Sequence, residues 1–247
     1  MSVLAAERIK LTSTRSPWWC VGSAVALTMG LNAIVVVAAT REDGIPATVA
    51  ATQFGYTTGM AVLMVMATLA VTTEYSVGTI RTTFLAVPGR TAALAAKTAV
   101  VAAVAGVVGL VTGFGSWAMG RLLLPSADLA LAGATEWRQV AGVGLVYLVA
   151  SVVAVAVGIL VRHTAGAVSL VLVWALMAEQ LLTLVPGVGN AIGPWLPFQA
   201  AKRFLTAGEA PTGAGLLDGP WAAMGYFAAV AAVLLAVAIG LAKHRDA

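Results

Sequence analysis

QVAGVGLVYLVASVVAVAVGILV, residues 139–161, carries no charged side chain. A bilayer core about 30 Å thick is crossed by roughly 20 apolar residues wound as a helix. The run has that length, and lipid offers its backbone no hydrogen-bonding partner except itself. It reads as a membrane-spanning helix. Working outward, five similar runs lie at 17–39, 54–73, 98–119, 166–185 and 221–242. Composition agrees: of 247 residues 60% are hydrophobic and 10% charged, with a mean hydropathy of +0.96. Soluble domains carry about a quarter charged residues. The expected fold is an all-α integral membrane protein with six transmembrane helices, forming one transmembrane domain over 1–247 with little room for a soluble one.

Basic residues are retained on the cytoplasmic side of a membrane, so the connections report orientation. With the amino terminus inside, the inner segments hold Arg8, Lys10, Arg15, Arg81, Arg90, Lys97, Arg162, Lys243 and Arg245, nine in all. The outer ones hold Arg41, Arg121, Arg138, Lys202 and Arg203, five in all. Both termini are therefore expected in the cytoplasm. The net charge of +4 expresses this topology. No basic patch with interleaved aromatics points to nucleic acid. Residues 1–16 are basic and lead into Pro17-Trp18-Trp19, which suits an aromatic anchor at the headgroup level. The apolar run that follows is longer than a signal-peptide core, so it reads as a retained first span.

Polar residues inside spans demand partners. Asn32 lies deep in the first span and should face another helix or a wet cavity. Gly55 and Gly59 make a small-x-x-x-small face on the second, and Gly109, Gly113 and Gly115 recur on the third, so close helix packing is expected. Arg162-His163-Thr164 leaves only a short turn between spans four and five, which makes them antiparallel neighbours, and His163 reads as a solvated turn residue. Glu179 and Gln180 close the fifth span. A carboxylate there must reach water, be protonated or find a base. Glu179 either faces a transport route or pairs with Lys202 or Arg203, and Asn32 and Gln180 are the other route candidates. Residues 186–220 are too broken by Gly and Pro to span, yet too apolar to lie free in water. Short re-entrant helices satisfy both constraints.

The longest inner connection is EYSVGTIRTTFLAVPGRTAALAAK, residues 74–97. Val77, Ile80, Phe84 and Val87 fall at spacings of three and four, one stripe of a short helix. Glu74 stands where that helix would begin, favourable against its dipole, and Pro88-Gly89 where it would end. Lys97 can snorkel to the headgroups. On spacing alone, this is either a loop lying on the lipid surface or a helix that fills a groove on a partner.

The ordered set Glu74, Gly78-Thr79-Ile80-Arg81, Pro88, Arg90 and Lys97 resembles the loop after the second span in permease subunits of bacterial type-2 ABC exporters. The resemblance implies a cytoplasmic coupling helix that docks on a separate ABC ATPase subunit. Glu74, Val77, Gly78, Thr79, Ile80, Arg81, Phe84, Pro88 and Arg90 would form the coupling site. It further implies an N-terminal interfacial helix, re-entrant outer helices between spans five and six, and a second permease subunit, identical or related. The place would be the bacterial inner (plasma) membrane.

ATP-driven transport needs a phosphate-cradling loop, G-x-x-x-x-G-K-[ST], and here Ala96 precedes Lys97-Thr98 in place of the glycine. HExxH, GxSxG and paired intramembrane carboxylates are absent from the sequence. Cys20 is the single cysteine, which excludes an intrachain disulfide and a thiolate metal cluster. The chain is therefore expected not to be an enzyme and to bind no cofactor or metal itself, with ATP and Mg held by the partner ATPase. The apolar spans suit a hydrophobic or amphipathic cargo such as a drug, antibiotic or lipid. The rival readings are a secondary transporter or channel, disfavoured by the shortage of intramembrane charge, and a non-transporting scaffold or sensor partner.

Overall fold

The computed structural model describes residues 3–39, 48–79, 89–125, 127–206 and 219–244. Among these the regular structure is all helical. Helix α1 (Val3–Ser13) leads into α2 (Arg15–Ala39), and a 3-10 turn (Ala51–Gln53) precedes α3 (Tyr56–Val77). Helices α4 (Arg90–Leu123) and α5 (Ala134–Val161) follow. The fifth span is α6 (Thr164–Val173), a π turn (Trp174–Ala178) and α7 (Glu179–Leu184). Two short helices, α8 (Val188–Ile192) and α9 (Pro197–Thr206), flank a 3-10 turn before α10 (Pro220–His244) closes the bundle. Among the described residues six helical segments are long and apolar enough to cross a membrane, as expected, which makes this a multi-pass membrane protein.

The helices outrun the apolar runs that announced them. Helix α4 begins at Arg90 rather than near 98, because Thr91-Ala-Ala-Leu-Ala-Ala-Lys97 is a run dominated by strong helix formers. Charge marks where hydrocarbon ends, whereas propensity and capping decide where a helix ends. The same distinction corrects the reading of Glu74. It does not open a new helix but lies in the last turn of α3, which continues to Val77. Gly78 then stops the helix in the left-handed conformation (φ 77°), and its N–H returns to the Tyr75 carbonyl.

Helix α5 is the centre of the bundle: the most apolar stretch of α5 is 67% buried, against 22% for the first and fifth spans. Helix α4 packs closely on it. A Cβ on Gly109 would stand 2.8 Å from the Gly144 Cα, and one on Gly113 would stand 2.4 Å from the Val140 carbonyl oxygen. The expected face at Gly55 and Gly59 meets α2 in the same way, since a Cβ on Gly55 would lie 2.7 Å from the Thr28 carbonyl oxygen. These approaches exist only because the side chains are missing. At Arg162 (φ 56°) α5 turns back at once, and His163 caps α6 by accepting the Gly166 N–H on Nδ1 at 3.1 Å. Spans four and five are thereby antiparallel neighbours.

Two glycine substitutions separate packing from propensity. Gly113→Ala is expected to destabilise the bundle by about 1–3 kcal/mol, because backbone must move. Gly22, with nothing within 4 Å of its Cβ position, should accept Ala with no loss and a gain of up to about 1 kcal/mol of helix propensity. Unfolding midpoints of the two variants in one detergent check both.

Candidate functional site

At the amino-terminal end of the bundle, four charged side chains from three helices meet. Lys97 on α4 donates to Glu7 on α1 at 2.6 Å and to Glu74 on α3 at 2.9 Å. Lys10, one turn beyond Glu7, donates to Glu7 at 3.0 Å and to Glu74 at 3.2 Å. Glu74 would be unfavourable alone, as a carboxylate in the last turn of a helix. Two ammonium groups on the same oxygen offset that. The cluster also corrects the reading of Lys97: its side chain is 7% exposed and points into the protein, not out to headgroups. A buried ammonium is tolerable only with counter-charges in contact, and Glu7 and Glu74 supply them.

The electrostatics of α1 follow. Burial pushes the Glu7 carboxyl up, but the hydrogen bonds and charges of Lys97 and Lys10 outweigh it and hold it below the ordinary carboxylate range. Burial pushes Lys10 down, and the two carboxylates more than restore it, so its net direction is upward. Close by, the Arg162 guanidinium lies 5.0 Å from the centre of the Tyr75 ring, joining the end of α3 to the turn between α5 and α6.

The clamp brackets the connection that the sequence singled out. Glu74, Val77, Gly78 and Thr79 stand at the end of α3, with Val77 exposed and Gly78 forming the cap. Arg90 is the first residue of α4. Ile80, Arg81, Phe84 and Pro88 lie outside the described residues, as does Val87. Glu74 and Lys97 thus hold the two sides of residues 78–89 against one another and against α1.

The other candidates part company. Asn32 is buried and spent on helix pairing: its Nδ2 donates to Ser116 Oγ at 2.7 Å, and its Oδ1 accepts the Gly55 N–H. Nearby the Tyr147 hydroxyl donates to the Tyr56 carbonyl at 2.8 Å. Glu179 pairs with neither Lys202 nor Arg203. The π turn widens the helix by one residue, so Trp174, five positions earlier, reaches Glu179 Oε1 with its indole N–H at 3.1 Å. The same carboxylate accepts the N–H groups of Phe198 at 3.2 Å and Gln199 at 2.9 Å. These are two of the orphan donors at the start of α9, so Glu179 is its cap from a distance. Gln180 is exposed and lines a pocket of about 300 Å³ with Gln53, Tyr56, Met60, Gln199 and Lys202. That pocket opens at the end of the bundle opposite the clamp.

The clamp partner Glu7 and the cap on α9 escaped the sequence reading. The signal for the cap was there: Pro197 suits the first position of a helix, yet Leu196 before it can cap nothing. No protein-family model matches this chain, and no curated protein matches it at a significant level.

Lys97→Met leaves buried Glu7 Oε2 without its donor and both carboxylates dependent on the half-exposed Lys10, and is expected to cost about 3–5 kcal/mol. Lys10→Ala should cost no more than about 1 kcal/mol, its side chain being 45% exposed. Unfolding midpoints in detergent give the order. Because the folded Glu7 carboxyl is held low, its contribution is present at neutral pH and lost as pH falls through its depressed value. The midpoint should therefore drop in acid, and Glu7→Gln should remove that component of the drop.

Proposed function

We propose that this chain is the membrane-spanning subunit of an ATP-driven exporter of the type-2 ABC class. With a second permease subunit it forms the route for a hydrophobic or amphipathic substrate. The observation that carries the reading is the clamp. In a permease worked from below, the segment that receives the push must be rigidly joined to the spans. Here Glu74 and Lys97 flank residues 78–89 and are locked together through Glu7 and Lys10. A force on that connection is passed to α3 and α4 together, and through their contacts to α5.

The remaining parts take their roles from this. Helix α1 is the interfacial helix, with Trp18 and Trp19 exposed beside it as membrane anchors. Helices α8 and α9 are the re-entrant pair, held to the fifth span by Glu179 and to α10 by the Tyr226 hydroxyl, which donates to the Trp195 carbonyl at 2.6 Å. The pocket beside Gln180 is the outer part of the route. Residues 80–88 dock on the ATPase, which binds ATP and Mg and hydrolyses the nucleotide. Both termini lie in the cytoplasm of a bacterial cell, and the chain performs no catalysis.

Recovery of the chain from its native membrane in mild detergent is expected to bring down an ATP-binding subunit with ATPase activity. Phe84→Asp should abolish that recovery while leaving the six-helix bundle folded. A complex without an ATPase would sink the export reading and favour a self-powered carrier or a scaffold.

A further inference from the structure

Beside the clamp lies a pocket of about 480 Å³, a size that suits a small-molecule headgroup and the first part of an acyl chain. Its polar side is made by Glu7, Lys10, Glu74 and Lys97, and its apolar wall by residues that include Met66, Leu69, Val100 and Val101. Hydrogen bonding within the clamp is unequal. Both Glu7 oxygens are engaged, one by each lysine, and both lysines converge on Glu74 Oε1. Glu74 Oε2 is buried and has no hydrogen-bond partner among the described residues. A buried carboxylate oxygen without a donor is costly, so whatever occupies the site gains most by bringing one.

We propose that this pocket binds an ethanolamine phospholipid from the adjoining leaflet. The headgroup ammonium donates to Glu74 Oε2. The phosphate meets Lys10, the member of the cluster with the most exposed side chain at 45%. The lipid chains run along Met66, Leu69, Val100 and Val101. The clamp holds two carboxylates and two ammonium groups, so its net charge is zero, and a zwitterionic headgroup with an N–H donor complements it. A choline headgroup carries the same charges but has no N–H to give. Phosphatidylglycerol can offer a hydroxyl, but it brings a net negative charge beside two carboxylates and no ammonium to offset it. The inference needs the six helices to lie in a membrane and is independent of export: loss of the ATPase interaction leaves it standing.

The test is native mass spectrometry of the full chain in detergent with an equimolar mixture of dioleoyl phosphatidylethanolamine, phosphatidylcholine and phosphatidylglycerol. The ethanolamine lipid is expected to be retained about tenfold over the choline lipid, the worth of one charge-assisted hydrogen bond. Glu74→Gln should bring the ratio close to one. Because that change also weakens the clamp, Thr73→Trp, at an exposed residue of the pocket lining, provides a second arm. It should fill the pocket and lose the lipid with an unchanged unfolding midpoint. Equal retention of the ethanolamine and choline lipids, preference for phosphatidylglycerol, or a preference that survives both variants would overturn the proposal.

Discussion

Hydrocarbon supplies no hydrogen bonds, and the polar groups deep inside the spans are arranged around that fact. The backbone satisfies itself by winding into helices. Hydroxyls inside the spans turn back onto their own helix: Thr68 donates to the Met64 carbonyl at 2.9 Å and Thr112 to the Val108 carbonyl at 3.0 Å. Asn32, Tyr147 and Glu179 cannot be satisfied locally, so each reaches a second element and in doing so fixes its place. Asn32 ties α2 to α4 and to the start of α3, whereas Glu179 ties the fifth span to α9. The polar residues that break the apolar pattern are thus the ones that give the helices their register.

Close approach does the rest, because lipid tails are as apolar as leucine and hydrophobicity gives helices little reason to associate with one another. What draws α4 onto α5 is van der Waals contact across Gly109, Gly113 and Gly144, where backbone meets backbone. The centre is therefore dense, with Val140, Val143, Ala150 and Ala154 fully buried. The first and fifth spans remain largely uncovered by the chain itself. Helices α3, α4 and α5 share the buried core, and the ionic clamp ties α1 to it. A buried cluster of this kind contributes little net stability compared with an apolar one of similar shape, but it admits few alternative arrangements.

Much of this was legible in residue order. Six apolar runs, the small-residue faces at Gly55, Gly59, Gly109 and Gly113, and the tight turn at Arg162-His163 all depend on neighbours close in sequence, and all appear in the fold. Asn32 was legible as a residue in need of a partner, although Ser116 was not legible as that partner. Glu74 and Lys97 were read in their local frames, as a helix start and a snorkelling side chain. The reading of Lys97 failed because its partner Glu7 lies 90 positions away along the chain, and that of Glu74 because α3 runs on past it to the Gly78 cap.

By itself, then, the sequence determined that the chain is a multi-pass membrane protein, which runs are long and apolar enough to cross, and which polar groups demand satisfaction there. These follow from transfer energies and helical periodicity, which act on runs of residues. Tertiary structure alone decided who satisfies whom: Lys97 with Glu7 and Glu74, Glu179 with the amides of Phe198 and Gln199, Tyr147 with the Tyr56 carbonyl. A charge or a donor states a need that many distant groups could meet. Only the packing of the helices brings one of them within 3 Å or so, the reach of a hydrogen bond.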